Sequence, residues 1–166
     1  IYAYQQRDLC EVIGEVLQKR GLTIAVAESC TGGLISDRLT AIAGSSQYFK
    51  LAVVAYSNTA KIRLLKVAKR KIEKYGAVSE QTALAMAQGV RELARTEIGL
   101  STTGIAGPGG GSNDKPIGMV CIGLVTSDLK RSWTKLILST NRRDNKIRFS
   151  QAALFELYKY LQNGSQ

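Results

Sequence analysis

Apolar residues recur along this chain in two alternating rhythms, one helical and one of short buried strands. Leu9, Val12, Ile13, Val16 and Leu17 fall at i, i+3, i+4, i+7 and i+8, which predicts an amphipathic helix. Arg20-Gly21 closes it with a basic last turn followed by glycine. Leu22 to Ala27 is a short apolar, β-branched run of the kind that forms a buried strand. Leu34 to Ile42 predicts a helix and Leu51 to Tyr56 a second strand. Ser57-Asn58-Thr59 then supplies cap-type residues for a basic helix beginning near Ala60. Ser79-Glu80 opens another helix, with Ala83, Met86, Ala87, Val90 and Ala94 as a narrow apolar stripe. Leu100 to Ile105 predicts a third strand. Ile117 to Val125 and Trp133 to Leu138 predict an antiparallel hairpin joined through Ser127-Asp128. Ile147, Leu154, Leu157, Tyr158 and Leu161 mark the closing helix.

Helices alternating with buried strands predict an α/β fold, a three-layer α/β/α sandwich with a mixed, mostly parallel sheet. At 166 residues and 45% hydrophobic content, one domain over 1–166 is expected. No repeat, linker or low-complexity tract interrupts it. No apolar run approaches the roughly 18 residues of a membrane span, and the N-terminus carries no signal-peptide pattern. A cytoplasmic protein is the expectation.

Composition narrows the chemistry. Lys and Arg total 23 against 13 acidic residues, for a net charge of +10. That favours an anionic partner, although solvated helix faces would carry the same excess, concentrated in Lys61 to Lys74 and Lys130 to Arg148. Three widely spaced cysteines, Cys10, Cys30 and Cys121, indicate neither a disulfide framework nor a zinc site. There is no histidine. A Ser-His-Asp triad and His-rich catalytic metal sites are thereby excluded. Any nucleophile must be activated by Lys, Tyr, a carboxylate or the chain's own amine.

Ligands of such sheets sit on the loops beyond the carboxyl ends of the strands. Three of those loops carry functional side chains. In Glu28 to Gly33, Ser29 lies between strand and helix, where a tight turn through Gly32-Gly33 suits a nucleophile with an oxyanion hole. Simple capping of the helix is the alternative, and Glu28 is either a substrate contact or a carboxylate favoured by the helix dipole. In the second loop Tyr56 ends a strand and Lys61 starts a helix, whose dipole would disfavour the ammonium form. A lysine of lowered pKa is the base that a histidine-free serine hydrolase needs. The third loop, Gly104 to Ser112, can offer several backbone amides to a phosphate; it is no Walker A loop, since no Gly-Lys-Ser/Thr closes it.

At these loops the sequence resembles the CinA C-terminal domain family. The matching runs are Ala27-Glu-Ser-Cys-Thr-Gly-Gly33, Gly44-Ser-Ser46, Val53-Val-Ala-Tyr56-Ser-Asn58 with Lys61, and Gly76-Ala-Val-Ser79. They continue in Thr103-Gly-Ile-Ala-Gly-Pro-Gly-Gly110 and Lys115-Pro-Ile-Gly118. The resemblance implies hydrolysis of the carboxamide of nicotinamide mononucleotide to nicotinate mononucleotide and ammonia. It places Ser29 as nucleophile, Lys61 as base and Tyr56 beside them, relaying a proton or holding Lys61. Glu28, Thr31, Gly32, Gly33, Ser46, Gly104, Gly107, Gly109, Gly110 and Arg142 are the expected substrate-binding residues, with Gly32-Gly33 amides at the oxyanion. Where the family carries Gly-x-Arg, this chain has Thr140-Asn141-Arg142, with Arg143 a close rival for the phosphate. Longer relatives carry a further N-terminal domain, so a stand-alone form or an excised domain is expected. No metal or organic cofactor is implied. The expected partner is a pyridine nucleotide, with neither membrane nor nucleic acid, in a homo-oligomer. The rival readings are a catalytically silent nucleotide-binding relative and a nucleic-acid-associated protein, the latter without interleaved aromatics or a recognition motif.

Overall fold

Asp8 and Gly21 bracket the first helix, α1 (Leu9–Arg20): the Asp8 carboxylate accepts from the Cys10 amide, and Gly21 turns left-handed at the end. The computed structural model describes residues 7–128, 130–138 and 140–163. After α1 come β1 (Ile24–Glu28), α2 (Leu34–Thr40), a 3-10 turn, β2 (Phe49–Val54), α3 (Asn58–Arg63) and α4 (Lys69–Tyr75). Then follow α5 (Glu80–Ala94), β3 (Ile98–Gly104), β4 (Met119–Thr126), β5 (Arg131–Ile137) and α6 (Arg142–Asn163). Among the described residues no helix is long and apolar enough to cross a membrane.

The sheet runs β2-β1-β3-β4-β5. β1 pairs in parallel with β2 and β3, while β4 runs antiparallel to both β3 and β5. The sandwich is as expected, with parallel and antiparallel pairings in equal number and β4 as the one reversed strand. Side-chain alternation sorts the faces. Ile24, Val26, Ile98, Leu100, Val120, Ile122 and Leu124 bury against α1, α2 and α6. The opposite face carries Ala25, Ala27, Gly99, Ser101, Cys121 and Gly123. Those small residues let α5 lie close: Ser101 Oγ donates to Ala83 O at 2.6 Å.

The basic segment after β2, where a helix is expected from near Ala60, forms two short helices. Ser57 caps α3 through the Ala60 amide at 3.0 Å, and Lys66 then turns left-handed at φ 56°. The break carries Leu65 and Val67 into the core beneath α5. Gly89 permits this, since a Cβ there would lie 2.0 Å from Leu65 O. The strand boundaries move by one or two residues from those expected.

Because β1, β2 and β3 point the same way, their carboxyl ends share one edge, with Glu28 beside Val54. β5 also ends there, with Ile137 beside Met119, and it delivers the start of α6 to the same edge.

Candidate active site

Ser29 is the first residue beyond β1, and its amide donates to Thr102 O at 3.1 Å. Lys61 comes from α3, beyond β2. Its Nζ lies 3.1 Å from Ser29 Oγ, 2.9 Å from Ala55 O and 3.4 Å from Tyr56 O. Both side chains are buried, Ser29 at 7% and Lys61 at 2% exposure. Among the described residues no carboxylate forms a salt bridge with Lys61. Burial therefore holds its pKa below the ordinary lysine value. Nζ donates to all three oxygens; a neutral amine, with two N–H groups, would keep the two carbonyls and turn its lone pair to the serine proton. Burial, rather than the dipole of the six-residue α3, is the leading cause.

The pair lies in a cleft of about 260 Å3. Gly104, Gly107, Gly109, Gly110 and Arg142 line it together with Tyr56, as the sequence anticipates. Gly104 has room for no side chain, because a Cβ would stand 2.6 Å from Met119 O and 3.0 Å from Cys30 Sγ. Arg142 bridges two walls. Its Nη1 donates to Gly107 O at 2.6 Å and its Nη2 to the Tyr56 hydroxyl at 2.8 Å. Tyr56 thus holds Lys61 through its carbonyl, while its phenol oxygen faces Arg142.

Other expected site residues stand elsewhere. Glu28 is fully buried, and its carboxylate accepts from the amides of Gly33, Ile35 and Ser36 and from Ser36 Oγ, at 2.5 to 3.1 Å. It anchors α2 and is consumed by doing so. Thr31 is buried with its hydroxyl 2.8 Å from that of Thr102. The Gly32 and Gly33 amides donate to Ser29 O and the Glu28 carboxylate, so the expected oxyanion hole in that turn is not available. Ser46 lies in the 3-10 turn before β2, at the end of the sheet where Ile24 pairs with Phe49, opposite the cleft. Its place beside a motif in sequence does not carry over to the fold.

Cys30 lines the cleft, yet burial pushes its thiol up to about 12, which disfavours the thiolate a rival nucleophile would need. Sequence reasoning gave no site role to Asn58 or to the Ala77-Val78 wall, although all three lie within matching runs. It also missed Asn145, a buried side chain bonded to the glycine loop at Ala106 O, 3.0 Å away. Its polar neighbourhood, Arg142 to Arg148, reads as a solvated helix face.

Known proteins extend the picture. The sequence model of the CinA C-terminal domain matches residues 6–161. A putative competence-damage inducible protein of Halothermothrix orenii is 51% identical over 161 residues, covering 97% of this chain and 39% of the relative. A CinA-like protein of Chloroherpeton thalassium is 54% identical over 168 residues, covering 99% and 40%. The chain thus spans about two fifths of the length of the curated relatives it matches. Among solved structures, the competence/damage inducible protein CihA from Agrobacterium tumefaciens superposes with a TM-score of 0.89 at 37% identity, covering 93% of both chains. A CinA superfamily protein from Enterobacter cloacae gives 0.88 at 28% identity, covering 97% and 99%.

Proposed function

The chain belongs to the CinA C-terminal domain family, and from that premise we propose that it hydrolyses the carboxamide of nicotinamide mononucleotide to nicotinate mononucleotide and ammonia. One observation carries the reading: a buried lysine with no carboxylate salt bridge among the described residues, its Nζ 3.1 Å from the hydroxyl of a serine in a cleft. A lysine kept only as a surface charge would have no reason to be there.

In this mechanism neutral Lys61 takes the Ser29 proton as Oγ attacks the carboxamide carbon. The resulting oxyanion is met by the amide of Cys30, the residue after the nucleophile. The C–N bond breaks as the Lys61 ammonium returns a proton to the departing nitrogen, which leaves as ammonia. Water, deprotonated by Lys61, then hydrolyses the acyl ester and restores Ser29. Arg142 and the glycine loop hold the phosphate at the mouth of the cleft, an arginine being well matched to a dianion. Tyr56 keeps Arg142 and Lys61 in register, by its hydroxyl and its carbonyl respectively.

The test is ammonia release from a panel of nicotinamide mononucleotide, nicotinamide riboside, nicotinamide and simple aliphatic amides. The mononucleotide should be turned over with the highest kcat/KM. A protein that releases ammonia from none of them contradicts the proposal.

A further inference from the structure

Two residues one turn apart on α6 grip two consecutive carbonyls of the glycine loop. Arg142 donates to Gly107 O at 2.6 Å, and Asn145 donates through Nδ2 to Ala106 O at 3.0 Å. The second hydrogen of the same amide goes to Thr140 O at 2.9 Å, and the Thr140 hydroxyl donates back to Asn145 Oδ1 at 2.5 Å. Asn145 is fully buried, so this side chain is fixed on both its nitrogen and its oxygen. A carboxamide is the group the position needs. It must donate twice and accept once, which a carboxylate or an aliphatic side chain of the same shape does not do. Thr140 sets which way the amide faces, by accepting from its nitrogen and donating to its oxygen.

We infer that Asn145, oriented by Thr140, is a positioning residue that holds the glycine loop against Arg142 so that the loop amides and the guanidinium converge on one phosphate. This rests on the phosphate-handling role proposed above for that loop. Arg142 alone does not fix the geometry. Its guanidinium is tied to one loop carbonyl and to the exposed Tyr56 ring, and both of these sit on loops. Asn145 reaches from the rigid helix to the loop residue next to Gly107, just beyond the end of β3. With Ala106 held, the backbone from Gly107 onward starts from a set position, and the Arg142 bond then orients it.

The clamp predicts an effect that follows the phosphate rather than the chemistry. Asn145→Leu and the milder Thr140→Val are compared with the unaltered protein on nicotinamide mononucleotide and nicotinamide riboside. Melting temperature is followed with and without inorganic phosphate as a separate probe of the site. For Asn145→Leu, KM for the mononucleotide should rise about tenfold more than KM for the riboside, the scale of one hydrogen bond's net contribution. Its kcat should stay within about threefold, the small change expected when uniform binding is lost. Thr140→Val should shift KM in the same direction by less, and both variants should show a smaller rise in melting temperature with phosphate. Equal losses on the two substrates, or a phosphate response unchanged from the unaltered protein, would overturn the inference. So would an unaltered protein that shows no response to phosphate. A phosphate response that depends on Asn145 in a protein hydrolysing neither nucleotide would support the clamp and contradict the proposed substrate instead.

Discussion

Lys61 Nζ lies 3.1 Å from Ser29 Oγ, with both side chains shut away from solvent and the amine also held by the carbonyls of Ala55 and Tyr56. The strand ends account for this meeting. β1 and β2 run side by side and finish level, so the first residue after one and the helix after the other face the same cleft. A buried lysine with no salt-bridge partner among the described residues costs stability, which is the environment expected of a lysine used for chemistry.

If Lys61 is the base, Lys61→Arg should be nearly as damaging as Lys61→Ala. Arginine keeps the charge and stays protonated at any usable pH. Each is expected to lower kcat by about a thousandfold or more, the scale on which removing a member of a catalytic unit acts. Substantial turnover by Lys61→Arg would make the lysine a substrate clamp.

Burial lowers the Lys61 pKa from 10.5, which fixes the sign of two pH effects. Activity needs the neutral amine, so kcat/KM should rise with pH along an acid limb that inflects below 10.5. Stability should move the same way. Between the folded and the unfolded pKa the unfolded chain binds the extra proton, so this contribution falls as pH drops below about 10.4 and is fully lost below the folded value. Urea midpoints of the unaltered protein and Lys61→Met, compared from neutral pH to above 10.5, should show the unaltered protein gaining relative stability as pH rises. A flat difference, or one of opposite slope, would mean that the lysine is not held neutral.

Much of this was legible in the sequence, for reasons that can be named. The order of apolar periods set the layers, and residues just past strand ends are forced onto one edge, which located Ser29, Tyr56, Lys61 and the glycine loop together. Ser46 misled because a motif neighbour in sequence precedes its strand, at the far end of the sheet. The Gly32-Gly33 amides misled because their bonds depend on where the Glu28 carboxylate turns. The basic helix expected from near Ala60 divides in two, because cap residues and charge give no hint that α5 draws Leu65 inward beside Gly89. Asn145 was hidden because a buried amide in a polar run has no signature of its own.

Glu28 is expected to support the fold rather than the substrate. Glu28→Ala removes the acceptor for three backbone amides and a hydroxyl in a buried turn. The cost should be about 3 kcal/mol or more, a fall of roughly 6–12 °C in melting temperature for a domain of this size. Thermal unfolding measures it. A variant as stable as the parent would free the carboxylate for a role in binding.

Arg142→Ala should weaken nicotinamide mononucleotide strongly while leaving residual turnover of free nicotinamide much less affected, because only the former has a phosphate to lose. A kinetic cycle of two enzymes and two substrates separates these. Equal losses on both would assign Arg142 to the fold or the chemistry, and Arg143, exposed beside it, would be the next phosphate candidate.

The central claim, that Ser29 is the nucleophile of an amide hydrolysis, is tested most directly by ammonia release from nicotinamide mononucleotide with the unaltered protein and with Ser29→Ala, alongside their melting curves. The account predicts release matched by nicotinate mononucleotide in the first, a fall of at least about a thousandfold in the second, and melting temperatures within a few degrees of each other. A Ser29→Ala variant within about tenfold of the unaltered protein would contradict it, since so small a loss is not that of a nucleophile.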